Sequence, residues 1–155
     1  MRLILLIALV VILADQASKW IILSEVMIPP QVIEVTGFFN LVLAYNRGVS
    51  FGLFAVDSPW TPYFLAGIAA LIALGVLIWA WRQGRLLPAV CAGLVVGGAI
   101  GNVIDRLRWG AVVDFLDFHA FGWHWPAFNV ADSCIVIGVG LLLYDGLRPA
   151  PRSTK

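Results

Sequence analysis

Four acids in this 155-residue chain stand where acids are expensive. Asp15 interrupts the apolar run Leu3 to Leu23, and Asp105 closes the run Leu86 to Ile104. Asp114 sits in Val112-Val113-Asp114-Phe115, and Asp132 in Phe128-Asn129-Val130-Ala131-Asp132, at the start of a further apolar run. A charge inside a membrane helix costs roughly 3 kcal/mol on insertion scales, so such groups face a partner or a wet cavity. Lys19 follows Asp15 by four residues, which places the two on one helical face where they can pair. Asn102, Asp105 and Arg106 share a face in the same way. On spacing alone, structural ion pairs at helix ends explain these residues equally well. Asn129 is a good helix N-cap, and an acid three residues later favours the helix dipole. Asp114 has no such structural reason. Two carboxylates held close force their pKa values apart, so one stays ionised as a base and the other stays protonated as an acid. Such a pair activates water and hydrolyses peptide bonds without a metal or a covalent intermediate.

Two rival chemistries are weaker. Gly48-Val49-Ser50-Phe51-Gly52 fits G-x-S-x-G, the pattern of a serine hydrolase's nucleophile elbow. That elbow needs a large α/β sheet, which this chain is too short and too apolar to build. His119 and His124, the only histidines, are five apart with no H-E-x-x-H, so they do not read as zinc ligands. No metal or cofactor is expected.

The elements that must position the acids come from composition. The chain is 61% hydrophobic and 12% charged, with a mean hydropathy of +0.95. Soluble domains are about a quarter charged, so the class is integral membrane protein. A net charge of +1 leaves no basic face for nucleic acid. Cys91 and Cys134 lie in apolar runs and read as small buried residues rather than a disulfide. Four stretches reach the roughly 20 apolar residues a spanning helix needs, at about 3–23, 63–81, 86–104 and 130–147. The first lacks an A-x-A cleavage site and resumes as Trp20-Ile21-Ile22-Leu23, so a retained helix is expected rather than a signal peptide. The fold class is therefore an all-α polytopic membrane protein in a single membrane domain. Its four transmembrane helices are accompanied by a small extracytoplasmic β-rich part.

Arg2, Arg82, Arg85, Arg148, Arg152 and Lys155 fall on one side of such a chain, which predicts that both termini are cytoplasmic. Trp20, Trp60, Trp109, Trp123 and Trp125 then mark the outer interface, and Trp79 and Trp81 the inner one. The outer segments are 24–62 and 107–129. The first is strand-like over Val32 to Tyr45 and the second over Ala111 to Phe118. Gly93, Gly97 and Gly101 form two overlapping G-x-x-x-G spacings, which allow a close helix neighbour. This topology gathers Asp15, Asp105, Asp114 and Asp132 near the outer face, where they would repel unless they share protons or meet Lys19 and Arg106.

Taken in order, Asp15-Gln16-Ala17-Ser18-Lys19, Tyr45 to Gly52, Gly101-Asn102-Val103-Ile104-Asp105-Arg106, Val112 to Phe115 and Phe128 to Asp132 resemble the lipoprotein signal peptidase (signal peptidase II) family of bacterial membrane aspartic peptidases. The resemblance covers nearly the whole chain. It implies that Asp114 and Asp132 are the catalytic dyad. It also implies that Asp15, Lys19, Asn46, Arg47, Gly48, Asn102, Asp105, Arg106 and Asn129 support the site or hold substrate. The implied substrate is a prolipoprotein whose cysteine already carries diacylglycerol, cut just before that cysteine. The implied setting is the bacterial inner membrane, with membrane lipid and lipid-modified prolipoproteins as partners; a monomer is expected. The loop from Tyr45 to Gly52 then shapes the site, and the G-x-S-x-G match is coincidence. A small proton- or ion-coupled carrier could use the same carboxylates. Carrier sites lie near the midplane between repeated halves, and this chain shows no repeat.

Overall fold

The computed structural model describes residues 1–48 and 58–147. Helix α1 (Arg2–Ile21) runs on into a π-helical turn, Ile22–Val26. Strands β1 (Ile33–Thr36) and β2 (Phe39–Asn46) follow, then helices α2 (Thr61–Gln83) and α3 (Leu86–Trp109). Strands β3 (Val112–Ala120) and β4 (Trp123–His124) precede helix α4 (Val130–Leu147). All four helices are long and apolar enough to cross a membrane, and the chain is a multi-pass membrane protein. The polytopic helical class with a small sheet is what composition predicts.

Helix α3 outruns its predicted end. The apolar run stops at Ile104, but nothing breaks the backbone ladder until Gly110, which takes the left-handed φ of 69° that ends a helix. Hydropathy marks where the polar face begins, not where the helix stops. Gly110 also keeps the connection short, so β3 leaves directly from the C-terminal end of α3. The tight turn between α2 and α3 forms at Gly84, again left-handed at φ 63°.

The other three helices pack along α3. Its glycines make this possible. A Cβ on Gly97 would lie 2.8 Å from the Ala8 carbonyl oxygen on α1, and one on Gly98 would run into the Ala131 carbonyl of α4. The G-x-x-x-G stripe therefore serves α1, while the adjacent Gly98 admits α4. Ala8, Ala73, Val96 and Ala99 form one buried cluster between α1, α2 and α3. In contrast, Leu71 on α2 and Val136 on α4 are 70% exposed. These are outward apolar faces suited to lipid. Cys91 and Cys134 are free, with Cys91 buried.

The strands form one antiparallel sheet in the order β1-β2-β3-β4. Strands β1 to β3 match the strand-like stretches. The two-residue β4 is too short to show in the sequence pattern, and a hairpin turn with positive φ at Phe121 (51°) and Gly122 (80°) creates it. A register shift between Leu41 and Ala44 sets Ala44 opposite Asp114 and Asn40 opposite Asp117. Ile22, Met27 and Phe115 pack together beneath the sheet and tie it to the π-helical turn.

Candidate active site

Helix α4 begins as its sequence predicts. The Asn129 side-chain Oδ1 accepts the Asp132 N–H at 2.9 Å, and Asp132 Oδ2 accepts the Asn129 N–H at 3.3 Å. This reciprocal cap fixes both side chains. The Asn129 amide is then free to face the other way. Its Nδ2 donates to Asp114 Oδ1 at 2.7 Å and to Asn102 Oδ1 at 3.2 Å. Asn102 Nδ2 donates to Asp132 Oδ1 at 2.7 Å. Asp114 and Asp132 are thus joined through two asparagine side chains, one from α3 and one at the head of α4.

Strand β2 supplies the second donor to Asp114. Asn46 lies opposite Val112 and so sits diagonally to Asp114 on the same sheet face. Its Nδ2 reaches Asp114 Oδ2 at 3.1 Å, while its Oδ1 accepts the Gly48 N–H at 3.1 Å. Asp114 is only 2% exposed. Burial, and next the nearby Asp132 carboxylate, push it up to about 7, against roughly 3.9 for a free aspartate. Hydrogen bonds from Asn46 and Asn129 and the charge of Lys19 oppose that rise without cancelling it.

Behind this pair lies a buried charged cluster. Lys19 Nζ sits 2.8 Å from Asp15 Oδ2 and 2.7 Å from Asp105 Oδ2. The Asp15–Lys19 pairing follows from helical spacing; the reach to Asp105 does not. Arg106 meets no carboxylate at bonding distance among the described residues. Its guanidinium instead donates to the backbone carbonyls of Gly48 at 3.2 Å and Asn102 at 3.4 Å. It thereby tethers the loop after β2 to α3.

Nearly every residue singled out in the sequence therefore converges here. Arg47 is exposed and, among the described residues, makes no bond to the cluster. Ser50 and most of the loop that contains it lie outside the described residues. His119 and His124 stack on each other with ring centroids 4.9 Å apart, on the paired strands β3 and β4 rather than in a loop. Sequence reasoning misses one participant. Gln16 Nε2 donates to Asp105 Oδ1 at 2.9 Å and to Asp15 Oδ2 at 3.2 Å. Its place beside Asp15 is the only hint, because the partner on α3 is 89 residues away.

Two apolar cavities meet at Asp132, Asn46 and Ile135. One, of about 450 Å³, runs between the segment after β4 and α4, lined by Trp125, Phe128, Val136 and Ile137. The other, of about 260 Å³, opens between α2 and α4 over α3, lined by Ala69, Ile72, Val95 and Ala99. The Asp132 carboxylate thus stands at the head of two apolar troughs.

Comparison with known proteins agrees with this architecture. A lipoprotein signal peptidase of Azoarcus sp. (strain BH72) is 51% identical over 146 residues, covering 93% of this chain and 82% of that protein. One from Methylorubrum extorquens (strain PA1) is 45% identical over 150 residues, covering 96% and 88%. A solved bacterial membrane enzyme superposes with a TM-score of 0.82 at 32% identity, covering 97% of this chain and 96% of that one. The family model for signal peptidase (SPase) II matches residues 7–148, and the chain belongs to that family.

Proposed function

We propose that this peptidase removes the signal peptide from diacylglyceryl-modified prolipoproteins by aspartic chemistry, cutting before the lipidated cysteine. Asp114 and Asp132 are the dyad. The observation that carries this reading is a desolvated Asp114 joined to Asp132 through Asn129 and Asn102. The shared proton rests on Asp114, whose burial favours the neutral form. Asp132 takes a proton from a water molecule as the water oxygen attacks the scissile carbonyl carbon, and Asp114 gives its proton to the carbonyl oxygen. The resulting diol collapses. The C–N bond breaks as the proton taken by Asp132 goes to the leaving nitrogen, and one diol hydroxyl returns its proton to Asp114, which leaves a carboxyl product and restores the dyad. Asn46, Asn102 and Asn129 hold the carboxylates in place, and Arg106 fixes the chain at Gly48, two residues beyond Asn46 at the end of β2.

The two cavities suit a substrate with two apolar parts. The trough between α2 and α4 has helical walls that a signal helix can lie along. The trough beneath Trp125 opens toward the exposed flank of α4, where acyl chains can enter from lipid. Both termini are inferred to be cytoplasmic and the site near the outer face, because Arg2, Arg82 and Arg85 gather at one end of the helices; the inner-membrane setting rests on the family. Arg47 has no role assigned beyond the loop.

The test is cleavage of lipidated and unlipidated prolipoprotein by the purified protein. Rapid cleavage of the lipidated form alone is the expected result. No cleavage of either, or equal rates for both, would sink the reading.

A further inference from the structure

We propose that Asp15, Lys19 and Asp105 form a positioning clamp that sets the separation of the two dyad carboxylates through the backbone; this rests on the dyad reading above. The arrangement has a symmetry not visible in the sequence. Asp15 Oδ1 accepts the N–H of Ala131 at 3.0 Å, and Ala131 immediately precedes Asp132. Asp105 Oδ2 accepts the N–H of Val113 at 3.1 Å, and Val113 immediately precedes Asp114. Lys19 Nζ holds both carboxylates, at 2.8 and 2.7 Å. One ammonium thus ties the first turn of α4 to the start of β3.

The clamp has little slack. Asp15, Lys19 and Asp105 are 0%, 3% and 1% exposed. The Ala131 amide is one of the first-turn donors that a helix cannot satisfy itself. Gly101 leaves no room for Asp15 to shift, since a Cβ there would meet Asp15 Oδ2 at 2.6 Å. Gln16 bridges the two carboxylates from the side, and Asn102 Oδ1 accepts a further hydrogen bond from Lys19 Nζ at 3.2 Å. None of the three clamp residues lines either cavity that meets Asp132. The charged groups around the dyad are Asp15 and Lys19 on α1, Asp105 and Arg106 on α3, Asp114 on β3 and Asp132 on α4.

Lys19→Met removes the tie and leaves two carboxylates that repel. Gly101→Ala displaces Asp15 while keeping every charge. Each full-length variant is compared with wild type for backbone hydrogen exchange around Val113 and Ala131, and for kcat and KM on lipidated prolipoprotein across pH. The clamp predicts exchange faster by about ten-fold or more at both amides. It predicts a kcat lower by about 10–100-fold with KM changed by less than about two-fold. It also predicts that the acid and alkaline limbs of the kcat profile draw together, because separated carboxylates interact less. Should Lys19→Met fail to fold, Gly101→Ala decides on the same readouts. Unchanged exchange at Val113 and Ala131 overturns the clamp whatever the chemistry. Faster exchange with unmoved limbs, and activity that falls only with the folded fraction, overturns the positioning role. Failure of the dyad itself is read separately, as cleavage that survives Asp114→Asn.

Discussion

Strand β3 carries two aspartates three residues apart, so their side chains leave opposite faces of the sheet. Asp114 faces inward to α3 and α4, among amides and a second carboxylate. Asp117 faces Asn40, which donates to it at 3.0 Å, and His124, whose Nδ1 lies 2.9 Å away. Burial and the Asp132 charge push Asp114 up to about 7. Burial also acts on Asp117, but the hydrogen bonds from His124 and Asn40 outweigh it and hold that carboxyl below its ordinary range. One residue type on one strand thus becomes a proton holder on one face and a fixed anion on the other. Both carboxyls are buried, so what differs is the company: a like charge on one face against a histidine ring and an asparagine amide on the other.

The largest expected effect breaks this contrast on the inner face. Asp114→Asn and Asp132→Asn should each lower cleavage of lipidated substrate by about 10³-fold or more, since Asn can neither accept a proton from water nor hold the shared one. The double variant should be little worse than either single, because paired groups act as a unit. Thermal unfolding of each purified variant checks that the loss is chemical. A folded Asp114→Asn with near-normal turnover would end the aspartic assignment.

Next is Asn129→Ala, which removes both the cap of α4 and the amide shared with Asp114. Its stability should fall by about 1 kcal/mol from the lost cap. Its kcat should fall by about 10–100-fold as the bridge between the carboxylates opens. Asn129→Ser should recover the stability but not the rate, because a hydroxyl caps the helix without reaching Asp114. Recovery of both would reduce Asn129 to a cap.

Acidity sharpens the contrast without any substitution. Since Asp114 is raised to about 7, kcat should decline as pH climbs through about 7 and the shared proton leaves. Stability has a matching sign. The raised value means the folded state keeps a proton that the unfolded state loses above roughly pH 4, so wild-type unfolding temperature should fall between roughly pH 4 and 7. Asp114→Asn should flatten that slope. An unfolding temperature that rose steadily across the same window would contradict the burial of Asp114.

The smallest effect belongs to the outer face. Asp117→Asn should cost about 0–1 kcal/mol, since His124 is largely exposed, and should leave turnover within about two-fold. Because the Asp117 carboxyl is lowered, the stability it adds is present above roughly pH 4 and disappears as pH falls through its folded value. Wild type and variant should therefore unfold alike in acid and separate near neutrality. A large loss of turnover in Asp117→Asn would extend the site onto the outer sheet.

Much of this protein is legible in its amino-acid sequence. Four spans follow from hydropathy because lipid permits few other solutions for a backbone that must satisfy its own hydrogen bonds. The Asp15–Lys19 pair follows from helical spacing, and the Asn129 cap from three-residue offsets, because both are local. The G-x-x-x-G stripe announces a close neighbour, though not that it is α1. Tertiary structure alone decides the rest. Lys19 reaches Asp105 across more than eighty positions, Gln16 joins the cluster, and Asn129 turns its amide from its own helix toward Asp114. Asp114 and Asp117 look alike in sequence, since a strand's pattern does not say which face will be walled off by helices. Local geometry repeats along a chain and can be read there. Proton affinity depends on which charges and how much water share a few ångströms, and only the folded packing brings those together.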